Sequence, residues 1–437
     1  MKKILFKPLI WLLVSVCLDS NAQTLSELIK SALEKNYQLQ IVKNEASIAS
    51  NNNTIGNAGQ LPTVDLNGTY TNSNNNTSQL FADGTLREGN NARNTNLNVN
   101  VMANWTVFNG FNIIAKRQQL EQLEKLGEIN SKFYIEQTIS DLVLLYHQLI
   151  YEKQLLNNFK QSMSISLFRL NLEAKRKQVG AGKAIDYGQA LVDYQSDSIL
   201  YLAQENRIQT LEVEMNAILN TALENRFDLN DLNFNYINIP LKDSVFQLIK
   251  SHNSALDQQR LNEILSEIDL RISRSQQYPK INVFAGMQYA KSTAEVGFQK
   301  SNQTYGPSFG VSISYALYNG SSVQREIKNA DLSFQNSVTT QKQTEQNLDV
   351  EALNLINAYS SLQERIKLAQ TNVNTIEQVN NAAKEQFKQG SINGYDFRLS
   401  QLTLLNAELT LLELKYSLKS AEINLNRLMG KVLESYL

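Results

Sequence analysis

The side chains that most often carry out chemistry are few in this sequence and stand apart from one another. The two histidines, His147 and His252, are isolated on stretches with helical periodicity, where a histidine is more often packed or solvated than a ligand. Residues 180–183 (Gly-Ala-Gly-Lys) resemble part of a phosphate-binding loop, but they lack its first glycine and the hydroxyl residue after the lysine. Paired carboxylates occur only on predicted solvated helix faces. The sequence therefore predicts no enzyme, no metal site and no cofactor.

The charge balance and the N-terminal residues bear on nucleic-acid binding and on secretion. With 41 basic and 42 acidic residues and no basic patch, the composition argues against nucleic-acid binding. Residues 1–22 are predicted to be a secretory signal peptide, with a positive start, an apolar run of about ten residues and a small-residue cleavage site. The only cysteine, Cys17, would leave with the signal. The alternative is lipidation of Cys17, although Val16 stands where a lipidation motif has a small residue.

One long stretch of the sequence is present twice. Residues 110–220 align without a gap with residues 320–430, at an offset of 210 positions. The aligned marks are Phe108-Asn109-Gly110 with Tyr318-Asn319-Gly320, Gly180 with Gly390, and Asp186 with Asp396. The duplication predicts one architecture built from two equivalent halves rather than several unrelated domains.

Each copy begins with a segment that is nearly free of helix-breaking residues. Long helices are predicted over 110–179 and 321–389, because neither segment contains a proline and glycine is almost absent from both. Return helices follow over 184–220 and 395–430. The predicted divisions are a signal peptide 1–22, a first repeat 23–220, a linker 221–242 and a second repeat 243–437.

A shorter helix and two strands precede each long helix. The first helix is predicted from Thr24 to about residue 57, since Thr24 and Glu27 form a capping box, and its counterpart starts near Asp243. Strands are predicted over about 62–72, 95–108, 279–290 and 305–318, with exposed loops between the strands of each pair. In the linker, Leu232, Phe234 and Tyr236 alternate, which predicts an extended segment lying across a helix.

The strands alternate between an apolar and a polar face. The polar face carries amides and hydroxyls rather than charges, and aromatic residues lie at one end of the strands. A soluble sheet over a core would also alternate, but these two features favour a membrane β-barrel. Four strands cannot close a barrel, since the smallest has about eight, and unpaired edges are not tolerated in lipid. The aromatic and glycine residues predicted at the strand-to-helix junctions are Trp105, Phe108, Gly110, Tyr318 and Gly320.

The fold class predicted is therefore mainly α with a membrane β-barrel. Three copies of the four strands would give twelve, and long antiparallel coiled-coil helices would continue from them. A seam of apolar residues with one asparagine supports the coiled coil. Its members are Leu362, Ile366, Ala369, Val373, Ile376, Asn380, Ala383 and Phe387.

These marks, in this order and twice over, resemble the TolC-type outer-membrane efflux proteins. The segments that carry the resemblance are residues 61–62, 105–110, 179–186 and 428–430, together with 390–396 as an echo of the third. The resemblance implies a homotrimer in outer-membrane lipid that extends into the periplasm of a Gram-negative bacterium. It also implies two partners, a periplasmic adaptor (membrane fusion) protein and an inner-membrane RND or ABC transporter.

The resemblance further implies a gate at the periplasmic tip. The positions that match it are Gly180, Asp186, Phe387, Gly390 and Asp396. Two departures stand out. The family has an arginine that bonds to an aspartate of the first repeat, and Ile392 stands at that position. The second of two aspartates in the family's cation-binding ring is replaced by Leu399. The gate is therefore expected to be latched differently.

Two functions remain open at this point. The first is a passive outer-membrane channel of a tripartite efflux or type I secretion system. The alternative is a trimeric coiled-coil adhesin or structural protein with a membrane anchor. An adhesin needs a passenger domain beyond the barrel, and neither predicted outer loop is long enough to be one. The transported cargo is not indicated, because the polar face is generic.

Overall fold

The computed structural model of the chain describes residues 24–229 and 232–436. The predicted signal peptide, Cys17 included, lies outside these residues. The described chain is dominated by helices and has one four-stranded antiparallel sheet in the order β1-β2-β3-β4, which confirms this part of the predicted fold. The elements are α1 Leu25–Lys35, α2 Tyr37–Asn52, β1 Thr63–Leu80, β2 Leu86–Asn109, α3 Asn112–Gln178, α4 Ala184–Leu219, α5 Lys242–His252, α6 Ser254–Ser275, β3 Lys280–Ala294, β4 Ser301–Ser314, α7 Ser322–Gln389, α8 Gly394–Leu428 and α9 Val432–Tyr436.

The chain forms two compact units. The sheet unit consists of Gln38–Ile135 and Asp243–Ala352, and it holds all four strands, most of α2, most of α5, and α6. The turn unit consists of the described residues within Met1–Tyr37, Glu136–Lys242 and Leu353–Leu437. The two longest helices, α3 and α7, each contribute residues to both units.

The strand register in the sheet unit aligns the side chains of like polarity across all four strands. Val101 of β2 lies opposite Leu66 of β1 and Met287 of β3, and Met287 in turn lies opposite Pro307 of β4. The neighbouring row on the other face contains Asn67, Asn100, Gln288 and Gly306. Because strand side chains alternate with a period of two, the four strands share one apolar face and one polar face.

The first two strands are longer than the sequence analysis predicted. The segment 71–93 was expected to be mostly an exposed loop, but β1 continues to Leu80 and β2 starts at Leu86, leaving a short turn between them. The pairs from Thr71 with Asn96 to Leu80 with Leu86 hold this extension. Backbone pairing does not require apolar side chains, so the asparagine-rich stretch pairs although its side chains carry no burial signal. In contrast, β4 ends at Ser314, four residues before its predicted end.

The short helix predicted before the first strand is in fact two helices. Asn36 has an extended backbone (φ −62°, ψ 127°) and separates α1 from α2. The counterpart is also split, since Asn253 is the N-cap of α6 and its side chain accepts a hydrogen bond from the Leu256 backbone N–H at 3.0 Å. Asparagine side chains compete for backbone groups, which favours a helix boundary over continuation.

In the turn unit, the predicted seam of α7 packs against α8. Val373 lies in one cluster with Ala407 and Leu411, and other seam residues border this cluster. The single polar position is satisfied, because the buried Asn380 accepts a hydrogen bond from the Ser400 hydroxyl at 3.2 Å. The polar break in the seam is therefore bonded to the facing helix.

In the turn unit, two hydrogen bonds anchor the linker to α8, and each joins a side chain to a backbone group. The Tyr236 hydroxyl donates to the Lys415 carbonyl at 3.0 Å, and the Ile237 N–H donates to the Glu422 carboxylate at 2.9 Å. Glu422 is also paired with Lys419 at 2.6 Å, and both side chains are buried. The linker segment thus crosses a helix, as its alternation predicts.

Next to this buried pair, His147 of α3 is packed and neutral. Its Nδ1–H donates to the Val143 carbonyl at 2.8 Å, and its ring stacks on Phe234 of the linker. Burial lowers the pKa of His147 to about 4; the Val143 hydrogen bond opposes this shift and the Lys419 charge adds to it. Among the described residues no group of three or more His, Cys, Asp and Glu side chains could hold a metal ion. His147 therefore acts as a core residue.

The low pKa of His147 predicts a loss of stability in weak acid. Between pH 6.5 and about 4 the unfolded chain binds a proton at His147 that the folded chain does not, so stability falls as the pH falls through this window. Lowering the pH from 7 to 5 should cost about 2 kcal/mol from this group. The pH dependence of the denaturation midpoint should become shallower in His147→Gln and stay unchanged in His252→Gln, which replaces an exposed histidine. An equal effect of both substitutions would contradict the assignment.

Candidate functional site

The turns that end the two long helices have the same geometry. Gly180 and Gly390 both have φ +76°, a conformation that glycine adopts without strain. The N–H after each glycine bonds to a carbonyl five residues back, from Ala181 to Arg176 and from Ser391 to Gln386, at 2.9 Å in both cases. This is the bonding of a Schellman motif, and it explains why α3 and α7 stop where they do.

The two return helices start differently. In α8 the N-cap is Asn393, whose side chain accepts a hydrogen bond from the Asp396 backbone N–H at 2.9 Å. In α4 the N-cap is Lys183, which makes no side-chain capping bond. Asp186 and Asp396 lie exposed in the first turns, where a carboxylate interacts favourably with the helix dipole. The capping side chain of α8 is therefore that of Asn393, and the carboxylate of Asp396 remains at the surface.

Phe387, near the end of α7, is fully buried between aromatic and cationic groups. Its ring stacks on Phe397 of α8 with a centroid separation of 4.9 Å, and the Arg176 guanidinium lies 4.9 Å from the ring centre. Arg176 also donates to the Phe387 carbonyl at 3.0 Å and pairs with Glu173 at 2.8 Å. These contacts fix the end of α7 to both α3 and α8.

A buried ion pair joins the two repeats above these turns. Arg398 of α8 binds Asp197 of α4 with two hydrogen bonds of 2.7 and 2.8 Å. Ser162 and Ser166 of α3 also donate to the Asp197 carboxylate. Asp197 is only 2 % exposed. A bidentate, charge-assisted pair with further donors is the arrangement in which a buried carboxylate is fully satisfied.

A second buried arginine lies beside this pair. Arg169 of α3 is paired with Asp193 of α4 and donates to the Gly394 carbonyl at the start of α8 at 2.9 Å. Burial, together with the charge of Arg398, lowers the pKa of Arg169 to about 10, although Asp197 and Glu173 oppose the shift. Arg169 thus keeps its charge at neutral pH and connects three helices.

Burial also acts on Asp197, but the net shift has the opposite direction. Burial raises the pKa of Asp197, yet the hydrogen bonds from Arg398 and Ser166 outweigh burial and hold this pKa below its ordinary value. The contribution of the pair is therefore present above pH 4 and is lost only as the pH falls further. The ion pairs described above involve three arginines and three acidic residues, and we call this set of six the charged cluster. Its members are Arg169, Glu173, Arg176, Asp193, Asp197 and Arg398.

The charged cluster contains an arginine–aspartate bond between the two repeats, although the family's arginine is absent from this sequence. The resemblance implies an arginine of the second repeat bonded to an aspartate of the first, and Ile392 removes that arginine. Arg398 and Asp197 form such a bond at other positions. Phe387 belongs to the same region, but it contacts Phe397 and Arg176, and Asp186 is not among its described contacts.

Sequence reasoning missed the charged cluster, although one signal was present. Polar residues recur on α3 at alternating spacings of four and three, which is the spacing of a coiled-coil seam. These residues are Ser162, Ser166, Arg169, Glu173 and Arg176. A seam that is polar over this length predicts buried charges with partners on the facing helices.

In the sheet unit, the two strand-to-helix junctions are packed differently. Gly110 has φ +66°, and a side chain there would lie 2.2 Å from the Ser275 carbonyl and 2.8 Å from Tyr278. Phe108 lies edge-on to Phe111, and Phe111 lies edge-on to Tyr278. Thus α6 covers the first junction closely.

The second junction is open in the described chain. Gly320 has φ +64° with nothing near the position of a side chain, and Tyr318 is 85 % exposed.

At the rim of the sheet, the Trp105 indole N–H donates to the Gln60 carbonyl at 3.0 Å and the residue is half exposed. None of the helices in the described part of the chain combines the length and the apolar character that a bilayer crossing requires.

Comparison with known families identifies the second half of the chain. Residues 245–431 match the family described as "Outer membrane efflux protein". This segment belongs to the outer membrane efflux protein family. The match confirms the resemblance drawn from the sequence and the outer-membrane location predicted with it. A search among curated protein sequences finds no match.

Solved structures of outer-membrane proteins share the fold of this chain. VceC from Vibrio cholerae has a TM-score of 0.74 at 18 % identity, over 93 % of this chain and 96 % of VceC. CmeC from Campylobacter jejuni has a TM-score of 0.75 at 15 % identity, over 94 % and 87 % of the two chains. MtrE from Neisseria gonorrhoeae, in its open state, has a TM-score of 0.72 at 14 % identity, over 94 % and 89 %. The fold is thus similar over almost the whole length.

Because Asp197 is buried, removing its partner should be strongly destabilising. Arg398→Ala should lower the free energy of unfolding by about 3–5 kcal/mol, since it leaves a carboxylate buried without its cation. The double variant with Asp197→Asn should cost clearly less than the sum of the two single variants. Denaturant midpoints of the four proteins in the cycle measure this coupling.

The matched control is the exposed pair Lys388 and Glu385 on α7, which are 2.7 Å apart. Its coupling energy should be about 0–1 kcal/mol. Strict additivity of Arg398→Ala and Asp197→Asn would contradict the role assigned to the buried pair.

Proposed function

We propose that this protein is a passive export channel of the outer membrane, which acts as a trimer with a periplasmic adaptor and an inner-membrane RND or ABC transporter. The observation that carries the proposal is the strand register, which gives four strands a common apolar face and a common amide- and hydroxyl-rich face. An apolar outside and a polar inside are the requirements of a strand wall between lipid and a watery lumen.

The edges of the sheet support a trimer. β1 and β4 are the outer strands of the described sheet, so each has one side without a strand partner in the chain. In hydrocarbon every backbone polar group needs a partner, so β4 of one copy must pair with β1 of the next. Three copies then close a barrel of about twelve strands, which lies within the range of known barrels.

The open junction at Gly320 supports the same assembly. Gly110 is covered by Ser275 and Tyr278, which belong to the second repeat of the same chain. The prolines at 62 and 279 correspond at an offset of 217 positions, so the equivalents of these covering residues are Ala58 and Leu61. Leu61 is half exposed in the described chain. We assign Leu61 of a neighbouring copy, the exposed one of the two, as the cover of Gly320.

The charged cluster is assigned as the restraint of the periplasmic gate. Arg398 and Arg169 tie α8 to α4 and α3, and Arg176 ties the end of α7 to α3. Moving the α7–α8 pair away from the α3–α4 pair would separate these charges. An adaptor that bound the turns at Gly180 and Gly390 would have to supply the energy needed to separate the charges. Without the adaptor, the channel would therefore rest in a closed state.

The coiled-coil adhesin is the competing function. An adhesin needs a folded passenger domain outside the sheet. The β1–β2 connection, however, is only the five residues Phe81 to Thr85, and the β3–β4 connection is only Glu295 to Lys300. Genes for an adaptor and a pump beside the gene of this protein would support the channel.

A direct test combines native mass spectrometry with planar bilayers. The detergent-extracted protein should contain three chains and should conduct ions after insertion. Arg398→Ala should raise the conductance, because it weakens the restraint on α8, whereas Lys388→Gln, an exposed change on α7, should leave the conductance unchanged. A monomer, or a trimer that carries no current even with the Arg398→Ala substitution, would exclude the channel.

The facing of β2 can be tested with one charge placed on either face. Trp105→Asp puts a carboxylate on the apolar face near the rim, and it should destabilise the assembled protein in lipid by up to about 1 kcal/mol. Asn104→Asp puts the same charge on the polar face and should leave trimer yield nearly unchanged. Both yields are read from detergent extracts of isolated membranes. Equal losses would mean that the assignment of the faces is wrong.

A further inference from the structure

The polar face of the sheet contains an apolar interruption. Two neighbouring rows of strand pairs hold the residues concerned: Thr63, Asn104, Phe284 and Gly310 in one row, and Asp65, Met102, Gly286 and Ser308 in the next. Phe284 and Met102 are the large apolar side chains among the amides and hydroxyls of this face in the paired rows from Thr63 to Thr71.

Two glycines make room for these side chains. A Cβ atom on Gly310 would lie 2.7 Å from the Phe284 ring, and one on Gly286 would lie 2.5 Å from the Met102 sulfur. Both apolar side chains therefore lie against the backbone of the adjacent strand. The Ser308 hydroxyl also lies 3.8 Å from the Met102 sulfur. We name Met102, Phe284, Gly286 and Gly310 the lumen patch.

A carboxylate lies next to the lumen patch on the same face. Asp65 of β1 is paired with Met102 of β2, and Asp65 is exposed. In the rows from Thr63 to Thr71, Asp65 is the charged residue of the polar face in all four strands. An aromatic ring, a polarizable sulfur and a negative charge thus occur together in a wall that is otherwise neutral and polar.

We infer that the lumen patch and Asp65 form a binding subsite for amphipathic aromatic cations on the export path. The aromatic part of such a molecule would stack on Phe284 and contact the Met102 sulfur. Its positive charge would be attracted by Asp65 and by the face of the Phe284 ring. The inference rests on the proposed function, because it takes the polar face as the wall of the lumen.

Covering glycines with an aromatic side chain is also a purely structural device of sheets. That role needs an apolar cover over Gly310 but neither a ring that accepts a ligand nor a carboxylate at Asp65. Phe284→Leu keeps an apolar cover and removes the ring, and Asp65→Asn keeps the size and removes the charge. These two variants therefore separate a binding role from a structural one.

The test is current block by ethidium, an aromatic cation, added to a planar bilayer on the side of the β1–β2 turn. The wild-type protein should show brief interruptions of the current. Phe284→Leu should shorten them about five-fold, the factor that about 1 kcal/mol of aromatic contact provides. Asp65→Asn should make them rarer. The anionic aromatic probe anilinonaphthalene sulfonate should produce none with the wild-type protein.

The control variant is Gln288→Asn, a polar change on the same face two residues from Gly286, which should leave the interruptions as they are. Interruptions that are equal in wild type, Phe284→Leu and Asp65→Asn, or absent in a conducting wild-type channel, would overturn the subsite and leave the channel standing. A trimer that carries no current in the wild type and none in Arg398→Ala would instead reject the channel and the subsite with it.

Discussion

The need to satisfy backbone hydrogen bonds at the edges of the sheet is the constraint on which the rest of this structure depends. Within the described residues, β2 and β3 are paired on both sides, whereas β1 and β4 are not. In water such edges are tolerated, but in hydrocarbon each unpaired group costs several kcal/mol. In the membrane channel proposed here, a chain with one apolar sheet face and two such edges would need copies of itself. The uncovered Gly320 lies where we propose that a copy packs.

The charged cluster shows a different balance between stability and specificity. Replacing a buried ion pair with apolar residues often leaves stability unchanged or improves it, so Arg398 and Asp197 are not explained as simple stabilisers. A pair of this kind is costly to break by removing one partner, yet it can separate as a whole when both groups gain water. That property suits a restraint between helices that must hold at rest and release on engagement, which is the role proposed for it here.

The duplicated sequence has a counterpart in the backbone. Residues with left-handed backbone conformation occur at Gly110 and Gly320, at Phe111 and Ser321, at Gly180 and Gly390, and at Asn220 and Gly430, always 210 positions apart. Glycine marked only some of these positions in the sequence. Phe111, Ser321 and Asn220 adopt φ values of 67°, 61° and 50° without being glycine, because the surrounding chain imposes the turn. These pairs support a duplication more strongly than residue identity does.

The sequence by itself determined the periodic features: the two faces of the strands, the ends of the long helices at glycine, and the seam of α7 that packs on α8. These features depend on neighbours within a few positions, so local patterns contain them. The tertiary structure alone decided that Arg398 meets Asp197, 201 positions away, that β1 and β2 extend through an asparagine-rich stretch, and that Phe284 lies over Gly310. Each of these depends on which strands or helices become neighbours, and no local pattern of one segment specifies its partner.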